Sequence, residues 1–178
     1  MQNAQQAEQP TYGSFKPLDP PDSHYLSAAQ GWIELQDSDA AEHELEKVNV
    51  TARMHPTFLL VRWELYAHAK HWQAARMIAE YLVEKCPEEP IGWLQRSYTL
   101  HAMGRTPEAF QLLLPAAPKF PTISTVPYHL SCYACALGHI EEAWHWLDKA
   151  IAGKDGDHIK SLALDDPILK PLWEHLQG

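Results

Sequence analysis

The chain has 178 residues, of which 46% are hydrophobic and 21% are charged, a composition typical of one soluble domain with a substantial core. Its formal net charge of −9, from 14 Lys and Arg against 23 Asp and Glu, argues against binding to nucleic acid or to anionic membranes. The chain has no apolar run of about 18 residues and no basic-then-apolar leader in its first residues. We therefore expect a cytoplasmic protein.

Residues 1–21 are predicted to form an extended or disordered tail, because they are rich in Gln and Pro and contain few large apolar groups. Tyr12, Phe15 and Leu18 recur at intervals of three residues, which places them on one side of a polyproline-like strand. This spacing raises the hypothesis that the tail lies in a groove of its own chain and competes with outside partners. A disordered tail is the competing interpretation.

The rest of the chain is organised by a period of 34 residues. The alanines that mark it are Ala41, Ala75, Ala109 and Ala143. Apolar residues also recur six positions before and seven positions after each of these alanines. Proline and glycine separate stretches rich in Ala, Leu and Trp, and few segments alternate like strands, so helices are predicted throughout. A period of this length is typical of helical hairpins that stack, because one hairpin cannot bury both of its faces.

The unit at residues 90–123 resembles a tetratricopeptide repeat (TPR). The positions that carry the resemblance are Trp93, Ser97, Gly104, Ala109, Leu113, Ala116 and Pro121. The resemblance implies an all-α fold, a right-handed α-solenoid of about four TPR hairpins followed by one or more C-terminal capping helices. The units fall at about 22–55, 56–89, 90–123 and 124–155. Such arrays serve many unrelated partners, so the resemblance predicts the fold more closely than it predicts a function.

The second unit departs from the TPR pattern in the sizes of two residues. Trp63 stands at a normally small position and Ala79 at a normally large one. We interpret this pair as an exchange of large and small side chains that keeps the volume of the core.

Residues 156–178 are similar to the segment that closes many bacterial repeat arrays. Asp166 and Pro167 are predicted to start a last helix. The apolar residues expected to cover the end of the fourth unit are Leu162, Leu164, Ile168, Leu169, Leu172, Trp173 and Leu176.

The TPR resemblance also implies where a partner binds, because the concave surface of such arrays is lined by recurring positions of each first helix. The partner-binding residues predicted in this way are Leu60, Glu64, Ile91, Leu94, Tyr98, His101 and Tyr128. This surface is apolar and aromatic and lacks the basic, Asn-rich clamp of some relatives. We therefore predict a peptide or protein partner with hydrophobic anchors. Packing of these residues against each other or against a second copy of the chain is the competing interpretation.

Arg62 and Arg96 share one position of the repeat and complete the predicted binding residues. They either form a ladder that receives a carboxylate of the partner or pair with acids such as Glu64 and Glu80. A partly buried arginine needs a partner in both cases, and we favour the structural role.

Cys132 and Cys135 form a single Cys-x-x-Cys pair, with His101 as a further candidate ligand, but a closed zinc site needs four ligands. We favour a packing role for both thiols and predict no metal and no cofactor. Motifs for nucleophilic, phosphate-binding or zinc-protease chemistry are missing from the sequence, so an enzyme is not predicted. The predicted function is a non-enzymatic protein-interaction scaffold. The alternatives are a helical metal-binding or redox protein and a secretion-type TPR chaperone.

Overall fold

The computed structural model describes residues 15–177, and all regular structure within them is helical. The helices are α1 (Asp22–Glu34), α2 (Ser38–Lys47), a 3₁₀ helix (Val50–Ala52), α3 (Pro56–His68), α4 (Trp72–Lys85), α5 (Pro90–Ala102), α6 (Thr106–Leu113), α7 (Ala116–Lys119), α8 (Thr125–Ala136), α9 (Ile140–Ile151), α10 (Gly156–Asp165), a second 3₁₀ helix (Pro167–Leu172) and α11 (Trp173–Gln177). Helices pack as the successive pairs α1 with α2, α3 with α4, α5 with α6 and α8 with α9. The all-helical repeat architecture predicted from the period is confirmed.

The turns inside these pairs share one backbone conformation. Gln36, Lys70, Gly104 and Gly138 stand 34 residues apart, and each has a positive φ, of 61°, 57°, 76° and 80°. Glycine adopts this left-handed conformation without a steric penalty, whereas Gln and Lys adopt it at a cost of about 1 kcal/mol. The turn geometry therefore persists in the two units that lack the glycine.

Small residues set the distance between neighbouring helices. The four periodic alanines are fully buried, so the helices that carry them approach closely. A Cβ added to Gly92 of α5 would lie 3.0 Å from the Cβ of Leu82 in α4. Helix α5 can therefore sit directly against α4, which joins the second hairpin to the third.

The buried apolar side chains form two clusters. The N-terminal cluster comes from α1 to α4 and includes Leu26, Phe58 and Leu82. The C-terminal cluster comes from α5 to the end of the chain and includes Leu130 and Tyr133. Helices α3 and α5 lie where the two clusters meet, and the candidate site lies there as well.

Before α1, residues 15–19 have no regular secondary structure. Phe15 and Leu18 pack against the N-terminal cluster. Tyr12, the third residue of the predicted spacing, lies outside the described residues. Two of the three tail residues thus contact the end of the array.

Within residues 156–178, the helix predicted to start at Asp166 and Pro167 does start there, and the Asp166 carboxylate accepts a hydrogen bond from the main-chain N–H of Ile168 at 2.9 Å. This helix is a 3₁₀ helix from Pro167 to Leu172, in which residues three apart share a face. Leu169 and Leu172 accordingly enter the C-terminal cluster, whereas Ile168 is exposed, in contrast to the expectation. Leu162 in α10 is exposed too. No helix in the described part of the chain is both long enough and apolar enough to span a membrane.

Candidate functional site

A groove of about 650 Å³ lies between α3, the start of α4 and α5, with two residues of α8 at one side. We call it the α3–α5 groove. Its walls consist of Leu60, Trp63, Glu64, Ala67, His68, Lys70, Trp72, Ile91, Leu94, Gln95, Tyr98, Thr125 and His129. The first helices of successive hairpins supply most of these residues because stacked hairpins present equivalent faces side by side.

Three aromatic rings form a corner of this groove. The ring centroid of Tyr98 lies 5.9 Å from Trp63 and 6.3 Å from Trp72, with interplanar angles of 68° and 64°. These are edge-to-face contacts, which aromatic pairs favour. The indole N–H of Trp63 donates to the hydroxyl of Thr99 at 3.1 Å. Tyr98 is nevertheless 42% exposed, so this aromatic corner is held in place on one side and open on the other.

Two polar residues of the groove wall are Gln95 and His129. Gln95 is 6% exposed, and its side-chain oxygen Oε1 is a buried atom without a hydrogen-bond partner in the described structure. Burial lowers the pKa of His129 to about 4, although the nearby Asp166 carboxylate opposes this shift. The imidazole is therefore neutral near pH 7. Its Nδ1 faces the hydroxyl of Tyr133 at 3.4 Å.

Five of the predicted binding residues line the groove, namely Leu60, Glu64, Ile91, Leu94 and Tyr98. His101 and Tyr128 lie outside its walls. Nδ1 of His101 is 2.9 Å from the Thr106 hydroxyl, and its ring lies 5.1 Å from that of Tyr133. The Tyr128 hydroxyl donates to Asp166 at 3.0 Å. Both side chains are thus engaged by groups of the chain itself.

Arg62 also lies outside the groove walls. Its guanidinium pairs with Glu42 and donates to the Tyr66 hydroxyl at 3.1 Å. It lies over the rings of Phe58 and Tyr66, at 5.7 and 5.6 Å. The carboxylate that it meets is therefore neither of the two that the sequence suggested.

Arg96 makes comparable contacts in the next hairpin. It donates to the main-chain oxygen of Leu112 at 2.9 Å and lies 5.1 Å from the ring of Trp93. Burial lowers the pKa of its guanidinium, and Glu80 partly opposes this shift. These contacts support the structural interpretation of both arginines.

Sequence reasoning missed several groove residues, namely Trp63, Lys70, Trp72, Gln95, Thr125 and His129. The unusual size of Trp63 is a signal in the sequence for a groove residue, although it also fits a volume exchange with Ala79. Ala79 is indeed fully buried. Trp63 belongs to neither buried cluster of the described residues and lines the groove.

The Cys-x-x-Cys pair lies on α8 outside the groove. Cys132 and Cys135 are buried, and the Cys132 thiol lies 3.6 Å from a carboxylate oxygen of Asp166. Burial raises the pKa of both thiols, which disfavours the thiolate that binds metals. In residues 15–177 no group of three His, Cys, Asp or Glu side chains is arranged to hold a metal ion. The structure thus gives His101 no shared site with the two thiols.

A comparison with solved structures finds a crystal structure of a thermophilic TPR protein from Thermus thermophilus. The two chains are 19% identical and superpose with a TM-score of 0.70, over 87% of this chain and 82% of the other. No protein-family model and no curated protein sequence matches the chain. Similarity of this kind shows the fold, and it agrees with the 34-residue period and with the repeated turns. The chain has the TPR helical-repeat fold.

Proposed function

We propose that the chain is a non-enzymatic interaction scaffold that binds a peptide segment of a protein partner in the α3–α5 groove. The observation that carries this proposal is the aromatic corner, where Tyr98 stays 42% exposed while Trp63 and Trp72 hold its ring in place. Rings held in position lose little freedom on binding, and aromatic residues dominate the binding energy of protein interfaces.

The size of the groove supports a ligand of a few side chains. Its volume of about 650 Å³ falls within the range of about 300–1,000 Å³ that is usual for ligand pockets. Leu60, Ile91 and Leu94 extend the apolar wall beyond the corner. An extended or helical segment with apolar anchors fits these features. The TPR fold supports the same conclusion by analogy, because it generally mediates protein interactions.

The test is selection of peptides from a displayed random library, followed by calorimetric titration of the selected peptides. Tyr98→Ala and Trp72→Ala should each weaken binding by about tenfold or more, as expected for central aromatic contacts. Met77→Ala is the matched control, because Met77 on α4 is 63% exposed and lies outside the groove. Circular dichroism verifies that each variant is folded.

Selected peptides that bind wild-type protein and Tyr98→Ala equally well would show that the groove is not the binding surface. Loss of binding in Met77→Ala to the same degree would argue for a site on the outer face of α4.

A further inference from the structure

Trp63 stands at a position of the repeat where the other hairpins carry a small residue. The equivalent residues, at intervals of 34, are Ala29, Ser97 and Ser131, and all three are fully buried. Trp63 is only partly buried and lines the α3–α5 groove. Its indole leaves the second hairpin and meets two residues of the third, Tyr98 through its ring and Thr99 through its N–H.

Thr99 of α5 is a fixed acceptor for this indole. The Thr99 hydroxyl donates to the main-chain oxygen of Gln95 at 2.7 Å, so its proton is engaged and its oxygen is left to accept. The indole N–H of Trp63, which can act only as a donor, reaches that oxygen at 3.1 Å. Thr99 is fully buried and lies behind the residues that form the groove walls, so water does not compete for the bond.

A second bond of the same kind joins α5 to the fourth hairpin. The Tyr133 hydroxyl of α8 donates to the hydroxyl of Ser97 at 3.2 Å, and the Ser97 hydroxyl donates to the main-chain oxygen of Leu94 at 2.9 Å. Ser97 and Thr99 are equally buried. Trp63 lines the groove, however, whereas Tyr133 lies outside its walls. The two bonds are therefore a matched pair, one at the groove and one away from it.

We propose that Thr99 is a positioning residue of the α3–α5 groove, which presets the aromatic corner by holding the indole of Trp63. The rings of Trp63 and Tyr98 meet edge to face at 5.9 Å, so an indole fixed at its N–H also restrains the exposed tyrosine. A side chain that is ordered before binding loses less freedom when a peptide arrives. This inference rests on the proposed function and adds a residue that acts on the site from outside its walls.

The probe is a peptide from the displayed library whose binding to the full chain is weakened by Tyr98→Ala. Thr99→Val keeps the shape of the side chain and removes the acceptor, so this peptide should bind about fivefold more weakly. Thr99→Ser keeps the hydroxyl and should restore the affinity. Ser97→Ala is the matched control, because it removes the acceptor of the Tyr133 bond and should leave the affinity unchanged. Calorimetric titration compares these variants with the wild-type protein, and circular dichroism verifies that each is folded.

Nuclear magnetic resonance of the free protein tests the cause of the loss. The indole N–H signal of Trp63, assigned from Trp63→Phe, should shift and exchange faster with water in Thr99→Val but not in Ser97→Ala. Trp63→Phe removes the donor of the same hydrogen bond and should also weaken binding. Adding Thr99→Val to Trp63→Phe should therefore weaken binding no further. A general structural role of Thr99 would instead lower the affinity equally in both backgrounds.

Wild-type affinity in Thr99→Val would overturn the inference, and so would an equal loss in Ser97→Ala or an additive loss in the double variant. An unchanged Trp63 indole signal in Thr99→Val would overturn it as well. If Thr99→Val does not fold, wild-type affinity in Trp63→Phe is the result that overturns it. In all of these cases the peptide still depends on Tyr98, so the proposed function stands. If the library yields no peptide that depends on Tyr98, the proposed function fails and the inference fails with it.

Discussion

The third and fourth hairpins present one position of the repeat in opposite states. Tyr98 on α5 and Cys132 on α8 stand 34 residues apart, yet Tyr98 is 42% exposed and Cys132 is 5% exposed. The capping segment makes the difference, because its 3₁₀ helix packs against α8 and Asp166 meets the Tyr128 hydroxyl and the Cys132 thiol. The exposure of a residue in this repeat therefore depends on whether another segment of the chain packs over it. The repeat position alone does not determine the exposure.

We call the surface of α8 at Tyr128 and Cys132, which the cap covers, the closed end, and the surface around Tyr98 the open end. The closed end and the open end should respond differently to substitution. At the closed end, Leu169 and Leu172 belong to the same buried cluster as Leu130 of α8, so that end contributes to stability. At the open end, the exposed part of Tyr98 contributes contact surface for a ligand. Substitutions in the cap should therefore change the free energy of unfolding, whereas substitutions at the corner should mainly change binding.

The largest effect is expected at the closed end. Leu172→Ala should lower the free energy of unfolding by about 2–5 kcal/mol, because it leaves a cavity in a fully buried cluster. Denaturant titration measures the change. Ile168→Ala in the same 3₁₀ helix is the control, since Ile168 is exposed and should cost far less. Equal costs for the two variants would mean that the cap does not close α8 in the way described.

A smaller effect is expected where α6 packs against α5, the helix that carries Tyr98. Ala109→Leu should cost about 1–3 kcal/mol, because Ala109 is fully buried on α6, which packs against α5. Ala28→Leu on the exposed face of α1 is the matched control, with little expected change. Thermal unfolding of both variants measures the difference. An unchanged midpoint for Ala109→Leu would remove the support for a close helix crossing at the periodic alanine.

The sequence was sufficient for the fold because its signal is periodic. The spacing of Ala41, Ala75, Ala109 and Ala143 predicted stacked helical hairpins, and all four residues are buried. Asp166 and Pro167 predicted the start of the capping helix for a local reason, the capping chemistry of that pair. Such local and repeated signals can be interpreted without knowing any long-range contact.

The site was predictable only in part, because it depends on contacts between distant residues. Leu60, Leu94 and Tyr98 followed from repeat positions and do line the groove. Tyr128 occupies a comparable position but meets the cap, which lies 38 residues further along the chain. Nor does any local pattern show that the buried oxygen of Gln95 lacks a partner.

His129 lines the groove and belongs to α8, the helix that the cap covers. The pH dependence of the free energy of unfolding should therefore report on this region. Burial lowers the pKa of His129 to about 4 and also lowers that of His101, with Asp166 opposing both shifts. The unfolded chain binds protons on these residues below about pH 6.5. In the folded chain His129 binds its proton only near pH 4, and burial lowers the pKa of His101 as well. Stability should therefore fall as the pH drops from about 7 to about 5, by on the order of 1–2 kcal/mol.

Urea unfolding at the two pH values measures this loss, and His129→Gln is the variant to compare. The substitution removes one of the two shifted imidazoles, so the free energy of unfolding should depend less on pH. A pH dependence identical to that of wild-type protein would assign the effect to groups other than His129.

The smallest effect is expected from removing metal ions, and it bears on the closed end alone. A structural zinc contributes on the order of 10 kcal/mol in small metal-dependent domains. Burial raises the pKa of Cys132 and Cys135, so both thiols keep their protons, and Cys132 lies against Asp166. Excess chelator should thus leave the helicity and the thermal midpoint unchanged by circular dichroism. Loss of helicity that zinc restores would show that the closed end is held by a metal, and Cys132→Ser would then reproduce that loss without chelator.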